Sequence, residues 1–220
     1  MTTEEEDKHW ISRCQNWREN YDKMSYNENR LFYNEIYLSS PNQFRSAAIF
    51  KLMFKFLKKR DRVSFKVLEL GGWDGKLARR ILNRFQNILS WYNVEICDEC
   101  IIHKVCFDTR YTVVVPDNYL WNIPLKKGYD IFVASHVFEH MKAKELVSLL
   151  RMYSYIPIIF CEVPIYEEVN WSNFSGTHIL EWTMTKFKQF LKSLGYELIA
   201  QLPSRSTDDG FAMLWKKHHM

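Results

Sequence analysis

The chain has 220 residues, which is the length of one large domain. Hydrophobic residues make up 47% of it and charged residues 25%, values that exclude a collagen, a coiled coil and a disordered tail. Thirty basic and 26 acidic residues give a net charge of +4. This excess is mild for the length and neither excludes nor indicates nucleic acid; we expect a small-molecule partner rather than nucleic acid.

The cysteines and the first residues of the chain indicate in which cellular compartment the protein is expected. Five cysteines, an odd number, favour reduced thiols in a cytoplasm over a framework of disulfides. The first residues are acidic, whereas a signal peptide starts with basic residues and continues into an apolar run. No apolar stretch approaches the ~20 residues that a membrane span requires. We therefore expect a cytoplasmic protein without membrane contact.

The first 62 residues are predicted to be helical. Thr3 and Glu6 have the spacing of a capping box, and apolar residues recur every three or four positions from Trp10 to Met24. The proline after Ser40 predicts a second helix start. We divide the chain into a helical extension, residues 1–62, and a core, residues 63–220. Three tyrosines lie on a less regular part of the extension that we assign to a lid: Tyr26, Tyr33 and Tyr37.

Residues 65–216 alternate between short apolar runs and amphipathic segments. Such alternation predicts right-handed βαβ units and a mostly parallel sheet. The fold class is therefore α/β, with a polar loop joining the last two strands into an antiparallel hairpin. The predicted strands are 67–70, 89–96, 111–115, 130–135, 156–163, 196–202 and 211–216. The predicted helices between them are 76–85, 98–106, 143–152 and 183–194.

A glycine-rich turn, Gly71–Gly75, follows the first strand directly. Glycine lets the backbone approach a ligand closely, yet the turn is neither the G-x-G-x-x-G fingerprint of dinucleotide sites nor a P-loop. Glu69 stands two residues before the first glycine. A carboxylate there would repel a pyrophosphate but accept hydrogen bonds from a cationic or hydroxylated ligand.

The string Glu69-x-Gly71-x-x-x-Gly75 resembles motif I of the class I S-adenosylmethionine-dependent methyltransferases. Trp73 stands where the middle glycine of that motif usually lies. The resemblance implies a Rossmann-like, doubly wound sheet of seven strands. It also implies that S-adenosylmethionine is the cofactor and S-adenosylhomocysteine the product. On this resemblance we assign Glu69, Gly71, Gly72 and Gly75 to cofactor binding.

Later residues match further landmarks of that family. Glu95, at the end of the second strand, matches the acid that holds the ribose hydroxyls, with Asp98 as the alternative. Asp117, after the third strand, matches the acid that reads the adenine amino group, and Asn118 follows it. Ser135 ends the fourth strand. We assign Glu95, Asp117, Asn118 and Ser135 to the cofactor site.

The methyl acceptor is expected to meet residues after the fourth and fifth strands. His140 is either a general base or a hydrogen-bonding residue of its loop. His178 is an acceptor contact, a base, or the cap of the helix that follows. These two histidines are the candidate catalytic residues, and we assign His136 and Trp171 to substrate binding.

Two strings hold residue types that bind metals, and we assign a metal to neither. Cysteine or histidine recurs every third residue from Cys97 to Cys106, without the long gap between the ligand pairs of zinc ribbons. His136-x-x-Glu139-His140 matches the H-x-x-E-H string of inverted zinc peptidases. That chemistry needs both histidines on one helix, but this string begins at the end of a predicted strand.

The predicted function is methyl transfer to oxygen of a small polar metabolite, such as a sugar, a nucleotide or a secondary-metabolite intermediate. A hydroxyl needs a base, and two candidate histidines favour oxygen over sulfur. One alternative is methylation of RNA or protein, with basic residues in 58–62 and 76–84 on a docking surface. Another is a cofactor-binding subunit that has lost transfer, because Trp73 replaces a glycine. The oligomeric state is left open, with a homodimer as one alternative.

Overall fold

The computed structural model shows an α/β sandwich built on one central sheet. It describes residues 3–39, 47–118, 128–165, 179–180, 182–204 and 210–218. The helices are α1 (Thr3–Asn20), α2 (Tyr26–Ser39), α3 (Ala47–Lys58), α4 (Lys76–Leu82), α5 (Asp98–Ile102), α6 (Ala143–Met152) and α7 (Met184–Ser193). The strands are β1 (Phe65–Leu70), β2 (Ile88–Val94), β3 (Tyr111–Val114), β4 (Ile131–Ser135), β5 (Ile158–Pro164), β6 (Tyr196–Pro203) and β7 (Gly210–Lys217).

The seven strands form one sheet in the order β3-β2-β1-β4-β5-β7-β6. The first five strands pair in parallel, and β7 runs antiparallel to both β5 and β6. The central pair sets Val67 opposite Ile131, residues that are far apart along the chain. This topology confirms the predicted doubly wound sheet with its C-terminal antiparallel hairpin.

Helices pack on both faces of the sheet. On one face α3 and α4 bury apolar residues such as Leu57 and Ile81 against β1, β4 and β5. On the other face α6 and α7 bury Leu149 and Phe187. The strand β1 lies between these layers and is buried at every position except Lys66, which explains its nearly continuous apolar sequence.

The first two helices of the extension, α1 and α2, form a small apolar cluster apart from the two clusters on the sheet. Trp17 of α1 stacks on Phe32 of α2 at a centroid distance of 4.9 Å, and its Nε1 donates a 2.7 Å hydrogen bond to Asn29 Oδ1. The extension also joins the core, because Arg30 donates two hydrogen bonds to the carboxylate of Asp98 in α5. These contacts place α2 beside the end of β2.

Two expectations for the extension are corrected. The apolar stripe from Trp10 to Met24 does not continue as one helix, because α1 ends at Asn20 and a turn precedes α2. The residues around Tyr26 and Tyr33, expected to be less regular, form the helix α2. Ser25 begins it by accepting the Glu28 backbone N–H while the Glu28 carboxylate accepts the Ser25 N–H, a capping box. The expected start at Ser40 lies outside the described residues.

The remaining element boundaries agree with the predictions within a few residues, with one larger difference. The helix expected over 98–106 ends as α5 at Ile102. The backbone N–H of Val105 instead donates to the Asp74 carbonyl at 2.8 Å, which ties this segment to the glycine turn. All five cysteines are buried free thiols. Within the described ranges, no helix has the length and apolarity to cross a membrane.

Candidate active site

The strand order reverses between β1 and β4, the two central strands of the sheet. β2 and β3 extend from β1 in one direction, and β5 extends from β4 in the other. In a doubly wound sheet, the loops after the carboxyl ends of such strands separate and leave a crevice where ligands bind. The glycine turn follows β1 at this crevice, and the residues 135–140 follow β4.

The backbone of the turn requires glycine at two positions. Gly71 and Gly75 have φ values of +62° and +80°, in the left-handed region that favours glycine. A Cβ atom at Gly71 would come within 2.6 Å of Val137 Cγ2, and one at Gly75 within 2.9 Å of the Tyr111 hydroxyl. The turn therefore packs directly against β3 and against the residues after β4.

Trp73 takes the same left-handed conformation without being glycine, with φ at +54°. Its side chain packs against Cys97 and Cys100, so the indole is held by the start of α5. The substitution at the middle glycine position keeps a positive φ while adding a large side chain. Such a backbone conformation costs on the order of 1 kcal/mol or more for a residue with a side chain.

Glu69 lies inside the protein, below the turn. Its side chain is 2% exposed, and its Oε2 accepts a 2.6 Å hydrogen bond from Trp91 Nε1. Burial raises the pKa of Glu69 to about 8, so the carboxyl is largely protonated at neutral pH. It supports Gly72, which sits directly over it, rather than presenting a charge at the surface. Gly72 in turn donates its N–H to Asn93 Oδ1 at 2.9 Å.

Glu95 links the ends of β1 and β2. It is 2% exposed, and its carboxylate accepts hydrogen bonds from the backbone N–H groups of Trp73 at 2.7 Å and Cys97 at 3.0 Å. Burial raises the pKa of Glu95 to about 7, while these two N–H donors act in the opposite direction. Asp98, the alternative ribose acid, is instead paired with Arg30.

Asp117 and Asn118 are exposed after the end of β3. The Tyr26 hydroxyl donates a 2.6 Å hydrogen bond to the carbonyl oxygen of Pro116, so α2 of the extension reaches this loop. Burial raises the pKa of Tyr26 to about 12, and the phenol stays a donor at neutral pH. The extension therefore lies beside the expected adenine end of the site.

A buried polar cluster follows β4. The Ser135 hydroxyl donates to Glu162 Oε2 at 3.2 Å, and the Ser204 hydroxyl donates to Glu162 Oε1 at 2.5 Å. His136, with φ at +54°, places Nδ1 3.3 Å from Glu139 Oε1 and Nε2 3.9 Å from Glu162 Oε1. Burial raises the pKa of Glu162, and His136 acts against that rise. The imidazole of His136 is thus held between two buried carboxyl groups.

His140 is the more accessible histidine of this cluster. Its side chain is 17% exposed, and its Nε2 lies 4.0 Å from Glu139 Oε1. The ring of Tyr33 in α2 meets it edge-on at a centroid distance of 5.9 Å. Glu139 and Tyr33 therefore flank the imidazole of His140. Among the residues that the structure describes, no group of three or more His, Cys, Asp or Glu is arranged to hold a metal ion.

His178 and Trp171 lie outside the described residues, and their roles stay predictions. The chain that follows them is attached to the cluster, since the N–H groups of Ile179 and Leu180 donate to the Glu139 carbonyl at 2.7 and 2.9 Å. Sequence reasoning missed Glu139 and Glu162 as parts of the site. The sequence signal for Glu162 was a single acidic residue within an otherwise apolar strand. Burial of a carboxyl group without a polar partner is unfavourable.

No family model and no curated protein matches the sequence. Among solved structures, the methyltransferase domain of a bacterial CtHen1 superposes with a TM-score of 0.57 at 18% identity, covering 76% of this chain and 96% of that one. The 1,6-didemethyltoxoflavin-N1-methyltransferase of Burkholderia thailandensis, solved with its acceptor and S-adenosylhomocysteine, gives 0.66 at 12% identity, covering 89% and 92%. The magnesium protoporphyrin IX methyltransferase of Synechocystis gives 0.61 at 11%, covering 77% and 82%. The chain therefore has the fold of S-adenosylmethionine-dependent methyltransferases.

Proposed function

We propose that the protein transfers a methyl group from S-adenosylmethionine to a hydroxyl oxygen of a small polar molecule. The observation that carries this proposal is the pairing, at one switch point of a methyltransferase fold, of the glycine turn with a histidine cluster. The turn follows β1, and His136 and His140 follow the adjacent strand β4. A cofactor site and a proton acceptor then lie side by side.

The side chains at the strand ends fit this cofactor. A ribose offers hydroxyl donors and an adenine offers an amino donor, so each calls for an acceptor. Glu95 directly follows β2, and Asp117 follows β3 with the amide of Asn118 beside it. The backbone of Gly71, Gly72 and Gly75 would lie along the methionine part of the cofactor. Ser135, at the end of β4, would lie on the other side of it. When bound, the cofactor supplies an electrophilic methyl group on sulfur.

The protein's own chemical task is then to position the acceptor and move one proton. In-line transfer needs the acceptor oxygen ~3–3.5 Å from the methyl carbon. The methyl carbon would leave sulfur as it bonds to the acceptor oxygen, so S-adenosylhomocysteine would be released. The proton of the hydroxyl would pass to an imidazole nitrogen of His140, with Glu139 beside it to stabilise the imidazolium. His178 is the second candidate for this base. We assign His136 and Trp171 to contacts that orient the acceptor.

The extension acts in this proposal as a lid over the cofactor. Its helix α2 contacts the ends of three strands through Arg30 near β2, Tyr26 near β3 and Tyr33 near β4. Exclusion of water from the crevice would strengthen each electrostatic interaction in it. Within residues 1–62, we propose α1 and α2 as the lid over the transfer core, residues 63–220, whereas α3 packs on the sheet of that core.

RNA is the second candidate acceptor. One solved neighbour is a small RNA methyltransferase, HEN1, of which this chain covers 26%. Methylation of a ribose hydroxyl would use the same base. The observation in this chain that favours RNA is a surface rich in lysine and arginine on α3 and α4, described below.

Calorimetric titration with S-adenosylmethionine and with S-adenosylhomocysteine tests the cofactor assignment. We expect micromolar binding of both, and Glu95→Ala should weaken it by about 5- to 150-fold, the equivalent of ~1–3 kcal/mol. Glu197→Gln, an exposed glutamate of β6, is the matched control. Absence of binding to both ligands would refute the proposal.

Transfer of a labelled methyl group to pools of hydroxylated metabolites and to RNA tests the acceptor. His140→Ala should lower turnover by about 10²- to 10⁴-fold with unchanged cofactor affinity. The control is His103→Ala, a histidine whose side chain is 57% exposed. Tight cofactor binding without transfer to any pool would instead support a non-catalytic subunit.

A further inference from the structure

A strongly basic surface lies on the side of the sheet covered by α3 and α4. Residues 47–90 are all described, and they contain one exposed carboxylate, Asp61, since Glu69 and Asp74 are buried. The net charge of +4 for the whole chain therefore conceals a local concentration of positive charge. The cations of this surface, called the basic face below, are Lys51, Lys55, Lys58, Lys59, Arg60, Arg62, Arg79, Arg80 and Arg84.

Helical spacing brings these cations together. Lys51, Lys55 and Lys58 are four and three residues apart on α3 and all exposed, so they form one stripe. On the neighbouring helix α4 and the turn after it, Arg80 and Arg84 are also four residues apart. Like charges at this spacing destabilise a helix by about 0.2–0.5 kcal/mol per pair. The sequence thus gathers positive charge at a small cost in stability.

Aromatic rings hold the arginines in place. The guanidinium groups of Arg80 and Arg84 lie over the ring of Phe50 in α3, at 4.0 and 5.5 Å from its centroid. Arg60 lies 4.0 Å over the ring of Phe56. Stacking of this kind fixes the orientation of a guanidinium. Arg60 and Arg84 are fixed further, because each donates one N–H to a backbone carbonyl, that of Phe56 and that of Arg80. Arginines fixed in this way are pre-organised to bind an anion.

The composition of the basic face favours phosphates on a nucleic acid over a lipid surface. The apolar side of α3, including Leu52 and Leu57, is buried in the core, so it offers no apolar stripe for insertion into a bilayer. Five of the nine cations are arginines, whose forked donors match phosphate oxygens. The face extends away from the candidate site, because α4 starts directly after Gly75 and Arg80 lies in its last turn.

We propose that the basic face binds the phosphate backbone of RNA. This inference does not depend on methyl transfer, because it concerns a surface outside the crevice. It replaces the expectation of a partner other than nucleic acid. That expectation took account of the net charge of the whole chain and not of where the charges lie. If the acceptor is RNA, the basic face anchors the strand while another part of it enters the crevice.

The test is fluorescence anisotropy with a labelled single-stranded RNA of about 20 nucleotides, without cofactor, at about 50 and about 200 mM salt. Wild-type protein should bind, and its affinity should fall by on the order of tenfold to a hundredfold across this salt range. Lys51→Gln/Lys55→Gln and Arg80→Gln/Arg84→Gln should each weaken binding by about tenfold and flatten the salt dependence. Both lysines of the first pair are exposed, so this pair keeps the test informative if the arginine pair disturbs packing.

The matched control is Lys186→Gln/Lys192→Gln, two exposed lysines on α7 across the sheet, which should bind like the wild type. No RNA binding, or equal loss in the control, would overturn the proposal. Binding to phosphatidylserine vesicles without binding to RNA would also overturn it and assign the face to a membrane. Calorimetry with S-adenosylmethionine on the same proteins separates this outcome from failure of the proposed activity.

Discussion

Replacing Glu69 by glutamine should make the protein less sensitive to alkaline pH. The glutamine has the same size and can still accept the hydrogen bond from Trp91 Nε1, but it cannot ionise. In the wild type, burial raises the pKa of Glu69 to about 8, whereas a glutamate in an unfolded chain has a pKa of about 4.3. Between these values the folded state holds a proton that the unfolded state has lost.

The sign of the effect follows from proton linkage. The free energy of unfolding falls as pH rises wherever the folded state binds more protons, by about 1.4 kcal/mol per pH unit for one proton. For a folded pKa of about 8, the loss between pH 6 and pH 8 is about 2 kcal/mol. Burial also raises the pKa of Glu95, to about 7, so Glu95 contributes to the same fall in the free energy of unfolding. This contribution is present in both the wild type and the variant.

Urea unfolding at a series of pH values measures this difference. We expect the curve of unfolding free energy against pH to be flatter for Glu69→Gln by about 1 kcal/mol per pH unit between pH 6 and pH 8. The matched control is Asp61→Asn, which neutralises an exposed carboxylate. A variant whose pH dependence equals that of the wild type would show that Glu69 is already ionised in the folded protein.

Three further changes have expected effects on stability. Gly75→Ala should destabilise the protein by about 1–3 kcal/mol in urea unfolding, because φ is +80° and the new Cβ would meet the Tyr111 hydroxyl. An unchanged free energy of unfolding would mean that the turn can relax. Trp17→Phe removes the donor to Asn29 Oδ1 and should cost about 1–3 kcal/mol in the same assay, and an unchanged midpoint would contradict that bond. Arg30→Ala should speed amide hydrogen exchange in α2 and leave exchange in the sheet unchanged, and equal exchange in α2 would show that other contacts hold that helix.

The core of the fold was predictable because each element has a local signal. The strand β1 is a short apolar run, and α6 repeats leucines at the spacing that buries one face, Leu146, Leu149 and Leu150. The division of the extension was harder to predict. Apolar residues continue from α1 into the turn after it, so periodicity alone does not mark the end of α1 at Asn20.

The site was only partly predictable, because hydrogen-bond partners come from distant parts of the chain. The glycine turn and Glu95 were found from their order along the sequence, but nothing local indicates that Glu95 accepts the N–H of Trp73. Likewise, Glu162 meets His136 and Ser204 only through the pairing of β4 with β5, of β5 with β7 and of β7 with β6. Side chains that converge through tertiary structure carry no fixed spacing, so a motif search passes over them.

The central position of β1 has a consequence for synthesis of the chain on the ribosome. On one side β1 pairs with β2, which emerges soon after it, and on the other with β4, whose Ile131 faces Val67. Until β4 leaves the exit tunnel, a nascent chain that has paired β1, β2 and β3 exposes one full edge of an apolar strand. Open edges of this kind pair readily with other chains, and incomplete domains are prone to aggregate. Products truncated before β4 should therefore collect in inclusion bodies or on chaperones, whereas the complete chain closes that edge itself.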